Sequence, residues 1–415
     1  MIDFVRYTLN NGLKVILHQD KSTPLLTINV LYDVGSKDED PNKTGFAHLF
    51  EHLMFGGTPA FPDYDDIAQR AGASNNAFTS NDITNYYITL PSINEEVGLM
   101  LEADRMKGLA FSPESLEVQR KVVIEEFKQR YLNKPYGDIW LELSPLAYKT
   151  HPYSWPTIGK KVAHIEEAKL EDVKAFFKKH YSPVNAVLSV AGNIDIEQTK
   201  EWIAKWFGVI PKGEKYDRQL PIEKKQLEKR VLTLEREVPQ SSMNKVFHMP
   251  GRMEKDYLAG DLVSDLLGRG HSSWFYKSLV KEQQLFTEIH CSVTGNNEPG
   301  LFSVSGMLSP GVSFDKAEKA IDMIIRDVKE GKMDQETIDQ LLNKVESTYL
   351  FHEMNHSDIA FSLGHYELLG DVDLINHEIE MYRKLRVNDL KEFANEYLIE
   401  ENSSVLYYKS IKPQQ

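Results

Sequence analysis

The chain has 415 residues, of which 41% are apolar and 27% charged, and a formal net charge of −14. That length exceeds one ordinary core and suits two domains of about 200 residues each, with the composition of a soluble globular protein. The acidic balance, with no lysine/arginine cluster interleaved with aromatics, argues against nucleic acid as a partner; no apolar run approaches the ~18 residues of a membrane span; and Cys291, the single cysteine, leaves no disulfide framework, cysteine metal site or redox pair.

The N-terminus, MIDFVRYTLNNG, has neither a basic start nor an apolar core, so no signal peptide is expected. A cytoplasmic location follows, or a periplasmic one if a leader has been processed away. RYTLNNGLKVILHQD carries Asn11-Gly12 between alternating apolar runs and predicts a hairpin with a tight two-residue turn. Residues 25–35 read as a buried strand, 43–56 and 63–71 as helices, and NNAFTS and TNYYITLP as two short strands. Two longer helices follow, SINEEVGLMLEADRMKGL and PESLEVQRKVVIEEFKQRYL, the second opened by Ser112-Pro113 in cap and first-turn positions. LEDVKAFFKKHY is helical, AVLSVAG a strand and DIEQTKEWIAKWF helical again.

The stretch 213–229 is polar, charged and proline-bearing, so the domain linker is placed there, between domains 1–212 and 230–415. Beyond it strands, a helix, further strands and several helices precede VLYYKS, a closing strand. KLEDVKAFFKKHY matches RVNDLKEFANEY at a constant offset of 217, pairing Asp172 with Asp389, Lys174 with Lys391 and Phe176 with Phe393. Each segment runs into a strand, which points to a duplication giving two α+β domains of similar build.

Two histidine motifs compete for a metal. In His48-Leu49-Phe50-Glu51-His52 the imidazoles are four residues apart and share a helical face, and Glu51 lies on the same side. In His352-Glu353-Met354-Asn355-His356 the order is the commoner HExxH. With 13 histidines in the chain, surroundings must decide. The first motif sits in the apolar FAHLFEHLMFGG, as a water-excluding ligand helix requires. The second runs into Ser357-Asp358 and has only Glu378 and Glu380 as further ligands. A catalytic zinc needs three protein ligands and an open position for water, whose proton a nearby carboxylate can take. Glu125 and Glu126 are candidates for the third ligand, pointing about 100° apart on a helix. Glu125 shares its face with Lys121, Lys128 and Gln129, a solvated side; Glu126 falls with Gln119, Val122 and Val123, the side expected to be buried. Glu126 is therefore chosen. Two imidazoles and a carboxylate favour zinc, one per chain. Other chemistries find no support: there is no GxSxG motif, Cys291 has no partner in sequence, Gly268-Arg269-Gly270 is too short for a nucleotide loop, and His151 reads as a turn residue.

These residues resemble the pitrilysin/insulinase family of zinc peptidases, the inverzincins, and most closely its small two-domain members related to the β subunit of the mitochondrial processing peptidase. GFAHLFEHLMFGGT is similar to the family's metal helix, GASNNAFTSNDITNYYITLP to its NAxTSxxxTxY strand pair and RKVVIEEF to its distal-glutamate helix; NKPYG and HPYSWPTIG recur in the same order. The resemblance implies two domains of the LuxS/MPP-like metallohydrolase type, each a mostly antiparallel sheet packed with helices. It assigns His48, His52 and Glu126 to the metal and makes Glu51 the general base. The strand through Asn76, Ala77 and Phe78 would capture substrate backbone by strand addition. It further implies a closed chamber that admits short unfolded peptides.

Two departures stand out. Gln119 occupies the place where the family usually has an outer glutamate behind the distal ligand. In the second half, Val280 and Thr287 stand where family members often carry an arginine and, seven residues on, a tyrosine that stabilise the oxyanion. A second subunit supplying that pair is therefore expected as partner, in a heterodimer. The alternative is a non-catalytic assembly or scaffold subunit of the same fold.

Overall fold

A computed structural model describes residues 1–411. Two compact units form, each drawing on both halves of the sequence. The first comprises Met1–Gln129, Trp155–Leu220 and Tyr349–His377; the second comprises Arg130–Ser154, Pro221–Thr348 and the segment from Glu378 onward. Among the described residues no helix is long and apolar enough to cross a membrane.

The first unit is built on six strands: β1 (Val5–Thr8), β2 (Lys14–Gln19), β3 (Leu25–Tyr32), β4 (Ser74–Thr79), β5 (Thr84–Pro91) and β6 (Ala186–Gly192). Their order is β1-β2-β6-β3-β5-β4, with β2 and β6 parallel and every other pair antiparallel. The second unit has five: β7 (Arg230–Arg236), β8 (Ser242–Met249), β9 (Phe286–Val293), β10 (Gly300–Leu308) and β11 (Ser403–Ser410). Here the order is β7-β11-β8-β10-β9, with β7 and β11 parallel and every other pair antiparallel. The second sheet thus repeats the order β2-β6-β3-β5-β4 of the first. The two matched helices, Leu170–His180 and Val387–Tyr397, each lead into the equivalent strand, β6 and β11. This is the two-domain α+β architecture expected from the sequence, carried by a repeated topology.

The linear division at 213–229 differs from the observed units. The chain does pass from one to the other near residue 220, but residues 130–154 belong to the second unit and 349–377 to the first. Packing explains both excursions. In the first unit, Ile359, Ala360 and Leu363 of the helix His356–Leu369 are buried against Ile16 of β2 and Val187 and Ala191 of β6. Ser189 Oγ donates to the Ala360 carbonyl at 2.6 Å, and the buried Glu367 carboxylate is held by Arg6 at 2.7 Å and Lys14 at 3.0 Å. In the second unit Leu143, Ala147, Tyr148 and Tyr153 are buried with Val246, Leu301 and Leu406. An apolar helical stripe tells that a helix packs, not which sheet receives it.

The first hairpin also differs in detail. Leu9 N donates to Leu13 O at 2.9 Å and Gly12 N to Leu9 O at 2.8 Å, which leaves a three-residue loop, Asn10–Gly12, rather than two. Gly12 closes it with φ of +88°, the left-handed residue such loops require. Asn11 is occupied elsewhere: its side-chain amide donates to Phe207 O and Ile210 O.

Because Leu363 is fully buried against the first sheet, Leu363→Ala is expected to cost about 2–5 kcal/mol of stability. Calorimetric unfolding measures this; a loss under about 1 kcal/mol would mean that the helix does not pack there.

Candidate metal centre

The site starts from a helix of eight residues, Phe46–Leu53. Phe46, Ala47, Leu49, Phe50 and Leu53 are buried. Phe50 packs against Phe111, Phe176, Phe177 and Tyr181. Anchoring that face turns His48, Glu51 and His52 to the other. The helix begins after Gly45 at φ +88°, where a side chain would also meet Ile158 O at 2.6 Å. Its first amides are satisfied from a distance: Gly45 N donates to Glu39 Oε2 at 2.9 Å and Ala47 N to Glu39 Oε1 at 2.8 Å, while Trp155 Nε1 donates to Glu39 Oε2 at 3.0 Å. Burial pushes the Glu39 carboxyl up to about 8, against the pull of these three donors.

The helix Pro113–Phe127 supplies the other side, with Ser112 Oγ accepting from Ser115 N at 3.0 Å as its cap. Leu116, Val123, Ile124 and Phe127 are buried. Glu125 lies on the solvated face, paired with Lys128 at 2.7 Å, as expected. Glu126 turns to the histidines: its Oε2 is 3.6 Å from His48 Nε2 and 3.3 Å from His52 Nε2. Val122, expected on the buried side, is 45% exposed, as is Val118 at 57%. The face carrying Glu126 is therefore a half-open wall, not a core.

One ligand atom from each of His48, His52 and Glu126 lies within 4.8 Å of the other two, and this is the single such cluster among the described residues. Donors about 2.0–2.2 Å from a tetrahedral zinc stand about 3.4 Å apart, close to the 3.3 and 3.6 Å observed. The donor set and its spacing fit zinc. Glu51 is outside the triad; its Oε2 accepts from Thr79 Oγ1 at 2.6 Å. Thr79, Glu39 and Trp155 were not anticipated from sequence. Thr79 ends the strand segment already singled out, and Glu39 is an isolated acid ahead of the helix.

Asn76, Ala77 and Phe78 lie on β4, the outermost strand of its sheet. Phe78 packs edge-on against Phe361 with ring centroids 5.5 Å apart. Gln119 is half-buried on the helix of Glu126, seven residues before it, and is not part of the ligand cluster.

The rival motif does not assemble. Helix Gln335–His352 ends at His352, and Asn355 caps a new helix that starts at His356, so the two imidazoles share no helical face. His356 Nε2 instead meets Asp20 Oδ2 at 3.0 Å, and Glu378 pairs with Arg252. In the second unit the helix Tyr257–Gly268 follows β8 as the metal helix follows β3, and it contains no histidine. Val280 lies in a π-helical turn, Tyr276–Glu282, and Thr287 on β9.

Residues 14–158 match the family description "Insulinase (Peptidase family M16)", and residues 167–345 match "Peptidase M16 inactive domain". The chain belongs to peptidase family M16. Relatives include the zinc protease PqqE of Helicobacter pylori, 29% identical over 408 residues that cover 97% of this chain and 92% of that protein. The uncharacterized zinc protease YmxG of Bacillus subtilis is 26% identical, covering 95% of this chain and 97% of that one. Among solved structures, a protease from Helicobacter pylori superposes with a TM-score of 0.92 at 29% identity, over 99% of this chain and 100% of that one. Pitrilysin shares the fold with a TM-score of 0.80 at 18% identity, and 99% of this chain covers 45% of it.

Elemental analysis is expected to find about one zinc per chain in the wild type and in His352→Ala, and none in His48→Ala, since two remaining donors hold zinc poorly. Zinc lost from His352→Ala alone would place the metal in the other motif.

Proposed function

We propose that the chain is a zinc-dependent endopeptidase that hydrolyses short unfolded peptides inside a closed chamber, as the metal-bearing subunit of a heterodimer. The observation that carries this reading is the cluster of His48, His52 and Glu126, with Glu51 on the helix that bears both histidines, in the same unit as an outermost strand. His48, His52 and Glu126 would hold a zinc ion, which would supply Lewis acidity toward water and the scissile carbonyl. His48 and His52 would contribute imidazole nitrogens and Glu126 a carboxylate oxygen, all from helices anchored by buried apolar side chains. Glu51 takes the proton of the attacking water and delivers it to the leaving amine. The peptide lies extended along Asn76–Phe78, its backbone paired with β4, which selects unfolded segments because a folded substrate has no free strand to offer. No covalent intermediate forms.

Two observations support a second subunit. Val280 and Thr287 offer neither a guanidinium nor a phenol for the oxyanion. The solved pitrilysin chain is about twice the length that this chain matches, leaving room there for a second pair of domains.

The competing reading, a non-catalytic scaffold, draws on the match of the second half to an inactive-domain description. That match lies outside all four residues of the centre, and a scaffold has no use for them.

Glu51→Gln should keep zinc and lose about 10²–10⁴ of kcat on an unstructured fluorogenic peptide; retained turnover would rule Glu51 out as base. The chain assayed alone should be weak or inactive beside the same chain with its natural partner, and full activity from a pure homodimer would sink the heterodimer.

A further inference from the structure

The carboxylate assigned as base is held by a residue of the substrate strand. Thr79 Oγ1 donates to Glu51 Oε2 at 2.6 Å, the length of a charge-assisted O–H···O bond. Thr79 is the last residue of β4 and pairs with Thr84 of β5. Side chains alternate along a strand, and on β4 Asn75, Ala77 and Thr79 are half-buried while Ser74, Asn76 and Phe78 are exposed. Thr79 therefore projects from the face opposite Phe78, and the strand is gripped on both sides: Thr79 by the metal helix, Phe78 by Phe361.

The turn after Thr79 gives that hydroxyl little freedom. Ser80 N donates to Ile83 O at 2.8 Å, and Ser80 Oγ accepts from the amides of Asp82 and Ile83, both at 3.1 Å. The turn is fastened in turn to the segment ahead of the metal helix. Ser36 N donates to Ser80 O at 3.1 Å and Lys37 N to Asn81 O at 3.0 Å. Lys37 Nζ forms a buried ion pair with Asp82 at 2.7 Å. A carboxylate that moves a proton must hold one oxygen toward the water while the other is fixed. Here Oε2 is the fixed one.

We propose that Thr79 is a positioning residue for Glu51: its hydroxyl fixes Oε2 so that Oε1 faces the attacking water, and it ties the strand that captures substrate to the group that moves the proton. This rests on the reading of Glu51 as base. Valine matches the shape of threonine without the donor, and serine keeps the donor. With zinc content unchanged, Thr79→Val is expected to lower kcat about ten- to hundredfold, with KM within about twofold, and Thr79→Ser to recover most of the loss. A crystal structure of zinc-loaded Thr79→Val should show the Glu51 carboxylate turned from its wild-type orientation. Wild-type kcat in Thr79→Val, a Thr79→Ser as slow as Thr79→Val, or an unmoved carboxylate would overturn the proposal. Glu51→Gln run in parallel separates the two claims: turnover surviving there removes the base itself, while its loss beside an unimpaired Thr79→Val removes only Thr79.

Discussion

An eight-residue helix cannot hold three functional groups in place by its own stability, since isolated helices of that length are marginal in water. Everything at the centre depends on how Phe46–Leu53 is pinned. Its apolar face is sunk among aromatic rings, and its open N-terminal amides are taken by Glu39, a side chain outside the helix that is itself fixed by the Trp155 indole. With both the roll and the start of the helix set, His48, Glu51 and His52 have one direction left to point. Glu126 then meets the histidines from a second helix, itself anchored by the buried Leu116, Val123, Ile124 and Phe127.

The same logic explains why the described residues form one such cluster in two similar folds. The sheets share a strand order, and each places a helix after its equivalent strand, β3 or β8. Only the first of these helices keeps histidines; Tyr257–Gly268 in the second is buried along nearly its whole length. Freed from presenting ligands, that helix is packed as core. A repeated topology thus supports one histidine-bearing helix and one packed almost throughout as core, with the difference written in side chains rather than in backbone.

Much of this was legible in the sequence. Apolar spacing places the strands β2 to β6 and six helices of the first half to within a few residues, though not Ile139–Ala147 or Val162–Glu166, and the contrast between the solvated face of Glu125 and the face of Glu126 singles out the carboxylate that lies beside the two histidines. Local pattern failed where the answer depends on distant packing. Nothing in HSDIAFSLGHYELL says that it covers the first sheet, nor does Val122 reveal that it borders an open wall. The HExxH order would need one continuous helix, and the Asn355 cap that breaks it is a local signal in the sequence. Glu39 and Thr79 were out of reach because their roles are contacts across the fold, at sequence separations of 8 and 28 residues from the groups they hold.

The central claim is that one zinc is held by His48, His52 and Glu126. Anomalous diffraction at the zinc edge from crystals of the zinc-loaded protein tests it most directly. The account predicts a single peak bounded by those three side chains with Glu51 beside it. A peak at His352 or His356, or none after zinc is added back, would contradict it.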